Sequence, residues 1–247
     1  MSKKMIVRNR LLEFKDTYIY QDTKYFKMSL DSVLLANFVT INLRDKKILD
    51  IATGNAPIPM LLFYRTKAQI YGIEIQKEVY LLGRISIKEN KMNSRISLIN
   101  DDAHNLPNIF NAESFDVITC NPPYFKNINS KFQNNNKIKA MARHENMLTL
   151  EDLLLISKKM LKNNGRISFI HRTERFVEII ELMKKYNLEP KRLRFVYSNN
   201  KKNSELLLIE GIKNGKPGLK LLSPLFIYDE NGKYTKEIRE MFGGRNS

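Results

Sequence analysis

Apolar residues in this chain fall in two alternating rhythms, short unbroken runs and longer stretches at helical spacing. The runs Lys47–Ile51 (KILDI), Gln69–Ile75 (QIYGIEI), Ile96–Asn100, Phe115–Cys120 (FDVITC) and Arg166–His171 (RISFIH) read as buried strands. Between them Pro59–Tyr64, Lys77–Lys91, Leu150–Leu161 and Arg175–Tyr186 read as helices, the first tolerating proline only in its opening turn. Arg192–Ser198 and Glu205–Gly211 look like a closing pair of strands. This alternation predicts an α/β fold with a doubly wound, mostly parallel sheet and an antiparallel hairpin at its edge. One domain over residues 1–247 is expected, with 1–28 as a small N-terminal extension. The segment Asn127–Lys139 (NINSKFQNNNKIK) is low in complexity and reads as a mobile loop.

The first strand ends in an acid and opens into the small-residue turn Asp50-Ile51-Ala52-Thr53-Gly54-Asn55-Ala56. Small residues there let backbone approach a ligand lying over the carboxyl ends of the strands. Glu74 follows Gly54 by 20 residues, at the end of the second strand, where a carboxylate accepts hydrogen bonds from both ribose hydroxyls of a nucleoside. Asp102, with Ala103 beside it, follows the third strand and suits an adenine amino group. Only one of the three glycines of a dinucleotide fingerprint is present, which argues against a bound pyrophosphate. S-adenosyl-L-methionine carries no phosphate, so one glycine suffices for it. An ordinary α/β turn with solvated acids would have the same residues.

Directly after the fourth strand stands Asn121-Pro122-Pro123-Tyr124. The lone pair of an adenine N6 is delocalised into the ring, so that amine is a poor nucleophile. Two acceptors placed where its hydrogens point as nitrogen becomes tetrahedral would help, and the Asn121 side-chain carbonyl and the Pro122 backbone carbonyl suit that task. The two prolines fix φ and hold the acceptors rigidly. The Tyr124 ring offers a surface on which an extruded base can stack. No strong general base is needed, because a methylated amine loses its proton readily.

Composition changes this picture in two ways. A formal charge of +16 favours an anionic partner, nucleic acid before membrane, although a genome biased to Lys, Asn and Ile would also produce it. Lysines outnumber arginines 28 to 14, whereas specific phosphate clamps favour arginine. The stretch from Phe125 to His144 carries Lys126, Lys131, Lys137, Lys139 and Arg143 with no acid among them, and is expected to close over RNA substrate beside Tyr124. A single cysteine, Cys120, excludes an internal disulfide framework and a cysteine-rich zinc site, and reads as a buried strand residue. His104, His144 and His171 lack metal-ligand spacing, so no metal is expected. The absence of a long apolar run and of a signal-peptide core points to a cytoplasmic chain without membrane contact. A monomer is favoured.

Taken together, the residues resemble a family, the bacterial tRNA(Val) adenine N6-methyltransferases, which act on position 37 beside the anticodon. The resemblance is carried by Phe26–Leu35 (FKMSLDSVLL), Asp50–Asn55, Asn121–Tyr124, Ala142–Glu145, Gly165-Arg166, Arg172–Arg175, Pro190–Arg194 and the tail Tyr228–Ile238. It implies a Rossmann-like class I methyltransferase fold, S-adenosyl-L-methionine as cofactor and tRNA as substrate. It carries cofactor binding onto Asp50, Gly54, Glu74 and Asp102, with Thr53, Asn55, Ile75, Ala103 and Asn121 alongside, and catalysis onto Asn121–Tyr124. Ala56 departs from the pattern, since glycine is common there. Ser29–Asp31 matches a cofactor-facing cap, or Ser29 is a plain helix N-cap.

Other readings use the same tetrapeptide. A glutamine N5-methyltransferase of peptide-release factors faces the same chemistry, but its family carries a helical domain ahead of the cofactor motif, and 49 residues precede Asp50 here. Methyltransferases of rRNA or DNA amino groups, and a non-catalytic RNA-binding protein on the same fold, are further alternatives.

Overall fold

The computed structural model describes residues 6–12, 16–22, 29–122 and 148–243. Each apolar run becomes a strand of one sheet: β3 (Lys47–Ile51), β4 (Gln69–Ile73), β5 (Ile96–Ile99), β6 (Phe115–Cys120), β7 (Leu161–Arg172), β8 (Leu188–Tyr197) and β9 (Ser204–Lys213). The order is β5-β4-β3-β6-β7-β9-β8. All neighbours are parallel except β9, which runs antiparallel to both β7 and β8. The expected hairpin is therefore present, but two short strands, β10 (Lys220–Leu221) and β11 (Leu225–Phe226), pair with β8 beyond it.

Alternation along the strands divides the core. Ile48 and Val117 face one apolar group, whereas Leu49, Ile51, Ile118 and Cys120 face the other. The first group is covered by α1 (Leu30–Phe38) and α2 (Pro57–Phe63), the second by α5 (Leu150–Met160) and α6 (Phe176–Lys185). Burial on both faces is what parallel strands require, and it explains the unbroken apolar runs. Helix α3 (Lys77–Glu89) lies beside β5, α4 is the single turn Leu106–Ile109, and α7 (Lys236–Met241) packs on α1. Among the described residues no helix is long and apolar enough to cross a membrane.

Residues ahead of α1 form a hairpin, β1 (Ile6–Arg10) with β2 (Tyr18–Asp22). It is joined to α3: Tyr20 N donates to Ser86 Oγ (2.9 Å), and Asn90, just after the helix, exchanges two bonds with the Tyr18 backbone (2.9 and 2.7 Å). Leu11 and Ile19 are fully buried with the core.

A buried carboxylate fixes the far end of α1. Glu210 on β9 accepts from Thr40 N (2.8 Å), Thr40 Oγ1 (2.7 Å), Ser168 Oγ (2.7 Å) and Arg192 Nη1 (3.2 Å). Arg194 forks onto both carboxylate oxygens of Glu237 in α7, at 2.6 and 2.8 Å. Two of the arginines in the basic run near Lys191 thus hold the fold together.

Candidate active site

Strand register brings three chain segments to one place. Ile51 at the end of β3 lies beside Ile73 of β4 and Cys120 of β6. The turn after Ile51, the carboxylate of Glu74 and the amide of Asn121 therefore leave adjacent strands at the same level, on the carboxyl edge where α/β sheets bind ligands.

The turn is unusually bent. Ala52, Gly54 and Ala56 have φ of 54°, 59° and 69°. Left-handed backbone costs an alanine roughly 1–2 kcal/mol, which accounts for glycine being the common choice at the last position. Ala56 meets that strain with its methyl fully buried in the core. Gly54 needs the same conformation, and a side chain there would point into open space. Gly72 is required for another reason: a Cβ would lie 2.9 Å from both Thr53 Oγ1 and Thr53 Cγ2.

Asp50 is fully buried, and its Oδ1 accepts from the Thr119 hydroxyl at 2.6 Å. Burial raises its carboxyl to about 7, the Thr119 and Thr53 hydroxyls offsetting part of that and Glu74 adding to it. Neither Asp50 Oδ2 nor Thr53 Oγ1 completes a hydrogen bond, although both atoms are buried. Such groups are normally satisfied, by turning toward one another or by a polar ligand or water.

Glu74 is also buried, and burial raises its carboxyl, countered by backbone N–H groups. Gly54 N donates to Oε2 (2.9 Å) and Gln76 N to Oε1 (2.8 Å). This fixes the carboxylate plane while each oxygen retains a second lone pair. Asp102 caps the short turn Ala103–Asn105: its Oδ1 accepts from His104 N (2.9 Å) and stands 2.6 Å from His104 Nδ1. The hydrogen bond to Asp102 raises the His104 pKa above its ordinary value, with Asp152 adding to it from 3.6 Å. Asn55 is directed elsewhere, its amide donating to Tyr20 O of β2 at 2.8 Å. Ile75 is half-exposed, its carbonyl accepting from Asn100 Nδ2 at 3.2 Å, and Ala103 packs on the core.

Asn121 is partly buried, its Nδ2 3.4 Å from Ser29 Oγ and 3.3 Å from Ser32 Oγ. Pro122 behind it is buried. Pro123, Tyr124, Lys126, Lys131, Lys137, Lys139 and Arg143 lie outside the described residues. Cys120 is fully buried and its thiol is pushed far up by burial, which leaves it no part in covalent chemistry. His171 is buried and lowered to about 4, so it is neutral, its Nδ1 accepting from Arg172 N at 2.8 Å.

Two contributors have little or no signature in the sequence motifs. Thr119 reaches Asp50 because the two are register partners on neighbouring strands, a pairing that spacing alone does not give. Ser32 does have a signal: it stands three residues after Ser29, on the same face of a helix start.

A model of a methyltransferase domain matches residues 42–219, most of the chain. A tRNA1(Val) (adenine(37)-N6)-methyltransferase of Flavobacterium psychrophilum is 28% identical over 220 residues, covering 81% of this chain and 91% of that one. Among solved structures, a predicted O-methyltransferase from Agrobacterium tumefaciens superposes with a TM-score of 0.70 at 19% identity, covering 88% of this chain and 97% of its own. A geranyl diphosphate C-methyltransferase from Streptomyces coelicolor, solved with S-adenosyl-L-homocysteine, gives 0.56 at 12% identity, covering 74% and 79%. These structures share the fold, and with an acid-ended first strand, a bent turn and a second acid at one sheet edge, the chain belongs to the methyltransferase-domain family.

Proposed function

We propose that this chain is an S-adenosyl-L-methionine-dependent enzyme that methylates the N6 amino group of an adenine in tRNA, adenosine 37 of tRNA(Val). The observation that carries the reading is the position of Asn121, one residue beyond the Ile51–Cys120 pair and so beside the Asp50 turn. The name and near-complete coverage of the Flavobacterium relative support the substrate. We take the chain to be one domain, because the N-terminal hairpin is hydrogen-bonded into α3 and the turn.

The cofactor fits the residues present. When bound, S-adenosyl-L-methionine supplies a methyl group made electrophilic by a positive sulfur. Asp50 Oδ2 and Thr53 Oγ1 offer the unsatisfied polar atoms that its amino-acid end would complete. Glu74, held by two backbone N–H groups, would accept from the ribose hydroxyls, and Asp102 from the adenine amine. Gly54, Asn55, Ile75 and Ala103 would contribute backbone to the cofactor's surroundings.

On the substrate side Asn121 and the Pro122 carbonyl would accept the two amine hydrogens as nitrogen becomes tetrahedral, and Tyr124 would stack the base. His171, lowered to about 4 and so a weak base, and the buried Cys120 are not needed as proton acceptors, since the amine's surplus proton would depart to solvent. We further propose a cytoplasmic monomer in which Lys126, Lys131, Lys137, Lys139 and Arg143 meet RNA phosphates.

Methyl transfer from labelled cofactor to total tRNA, rRNA, DNA and peptide-release factor tests this. Label in tRNA, recovered as N6-methyladenosine next to the anticodon, is expected. Label in release factor alone would replace the reading with glutamine methylation.

A further inference from the structure

The Asp102 carboxylate is held through one of its two oxygens. Oδ1 accepts from His104 N at 2.9 Å, the bond that caps the turn Ala103–Asn105, and stands 2.6 Å from His104 Nδ1. Oδ2 has no partner among the described residues. A carboxylate only accepts, so the short contact requires a proton on Nδ1. When neutral, the ring is then in its Nδ1–H form, the minor tautomer of free histidine.

The backbone bond alone would let the carboxylate pivot about Oδ1. A second donor arriving from another direction fixes its plane, and with it the lone pairs of Oδ2. The far side of the imidazole meets a second acid. His104 Nε2 faces Asp152 Oδ1 at 3.6 Å, too long for a hydrogen bond but close enough for an ion pair. The other oxygen of Asp152 accepts from Thr149 N (3.0 Å) and Thr149 Oγ1 (2.6 Å), which closes the capping box of α5. The ring thus stands between the turn after β5 and the first turn of α5.

We propose that His104 is a positioning residue that fixes the Asp102 carboxylate for the 6-amino group of the bound cofactor's adenine. The proposal rests on the reading of Asp102 as acceptor of that amine given above. The role belongs to Nδ1 rather than to the bulk of the ring, since the side chain is 44% exposed and fills no part of the core.

The test compares two ligands by calorimetry, S-adenosyl-L-homocysteine and the same compound with hydrogen in place of the 6-amino group. The parent protein should prefer the first by about tenfold or more. H104A is expected to weaken the first by about fivefold to tenfold and the second by less than about twofold. H104N should restore the first to within about twofold, because an asparagine Nδ2 stands where the imidazole Nδ1 did. Equal losses for both ligands, no loss for either, or an H104N no better than H104A would overturn the proposal. A parent protein that binds both ligands equally removes Asp102 from the amine and the proposal with it, whereas discrimination retained in H104A removes His104 alone. A second measurement needs no ligand. Imidazole ¹⁵N spectra taken above the titration of His104 should place its proton on Nδ1 in the parent protein and on Nε2 in D102A. A proton on Nε2 in the parent protein overturns the proposal.

Discussion

The Thr119 hydroxyl donates to Asp50 Oδ1 at 2.6 Å across the β3–β6 pair, both residues fully excluded from solvent. It opposes the burial that raises this carboxylate to about 7, as the Thr53 hydroxyl does to a lesser degree. The interaction therefore governs a group that changes charge near neutral pH.

A pH dependence follows, with a definite sign. The carboxyl is raised from 3.8, so the folded chain binds this proton more tightly than the unfolded chain does. The stability it contributes is complete below about pH 4 and lost as pH rises through about 7, up to roughly 4 kcal/mol for one group. Denaturant titrations of the ligand-free protein should show D50N flattening the decline between pH 5 and 7; an identical slope in D50N would assign the effect elsewhere. Cofactor affinity should run the other way, falling about tenfold per pH unit below 7, because its ammonium seeks the ionised form. T119V should move that midpoint up by about one unit, which calorimetry across pH can read.

Asn121→Ala and Glu74→Ala should separate the two halves of the site. N121A removes an acceptor that acts as the amine reacts, so kcat should fall by about two to three orders of magnitude with cofactor affinity nearly unchanged. E74A should weaken cofactor binding by about 2–3 kcal/mol, having removed a carboxylate whose orientation two backbone donors fix. Activity of N121A within about threefold of the parent, or unchanged cofactor affinity in E74A, would each remove that residue from its place.

Glu210 makes a prediction about stability instead. Its carboxylate is buried and accepts four hydrogen bonds from Thr40, Ser168 and Arg192. E210A strips one partner from a largely buried network and should destabilise by about 3–5 kcal/mol. Arg192 remains partly exposed, so R192M should cost clearly less. Equal losses in urea titrations would mean that the arginine, not the strand and helix interactions of Glu210, dominates.

What the sequence made legible follows from what each element buries. Lys47–Ile51 and Phe115–Cys120 have the expected bounds because strands buried on both faces are nearly continuous apolar runs. β1 carries no such signature: its residues IVRNR are mostly exposed, and the sheet pair is tied to α3 by an exposed ion pair of Arg8 with Glu89 and by the β2 backbone bonds to Ser86 and Asn90. Helix α1 shows no clear helical period in the sequence, since its six buried positions crowd most of its surface. At the site, Asp50, Gly54, Glu74 and Asn121 converge as their places after successive strands imply. Asn55 is instead turned to Tyr20 O, and Asp102 is engaged by His104, two bonds decided by tertiary structure rather than by motif.

The last prediction asks where RNA phosphates are held. The run Lys191–Arg194 is one candidate from charge alone, yet Arg192 and Arg194 are committed to Glu210 and Glu237. Lys201 and Lys202 differ. β7 continues past Phe169, the partner of Cys120, to Arg172, and Arg172 pairs with Leu206 of β9. The β8–β9 turn that carries both lysines therefore projects from the same edge of the sheet as Asn121. Both lysines are exposed, and neither has an acidic partner among the described residues. Removing one lysine–phosphate interaction should flatten the slope of log affinity against log salt by roughly 0.7–0.9. K201Q/K202Q should thus weaken binding of the anticodon stem-loop and reduce the slope by about 1.5. Replacing Lys126, Lys131, Lys137 and Lys139 together by Gln should reduce it by about two or more, with cofactor affinity unchanged in both variants. If the turn variant leaves slope and affinity untouched while the other does not, the phosphates lie on the Phe125–His144 side alone. If neither variant has an effect, the positive charge of these segments is solvated surface, and RNA must be gripped elsewhere on the protein.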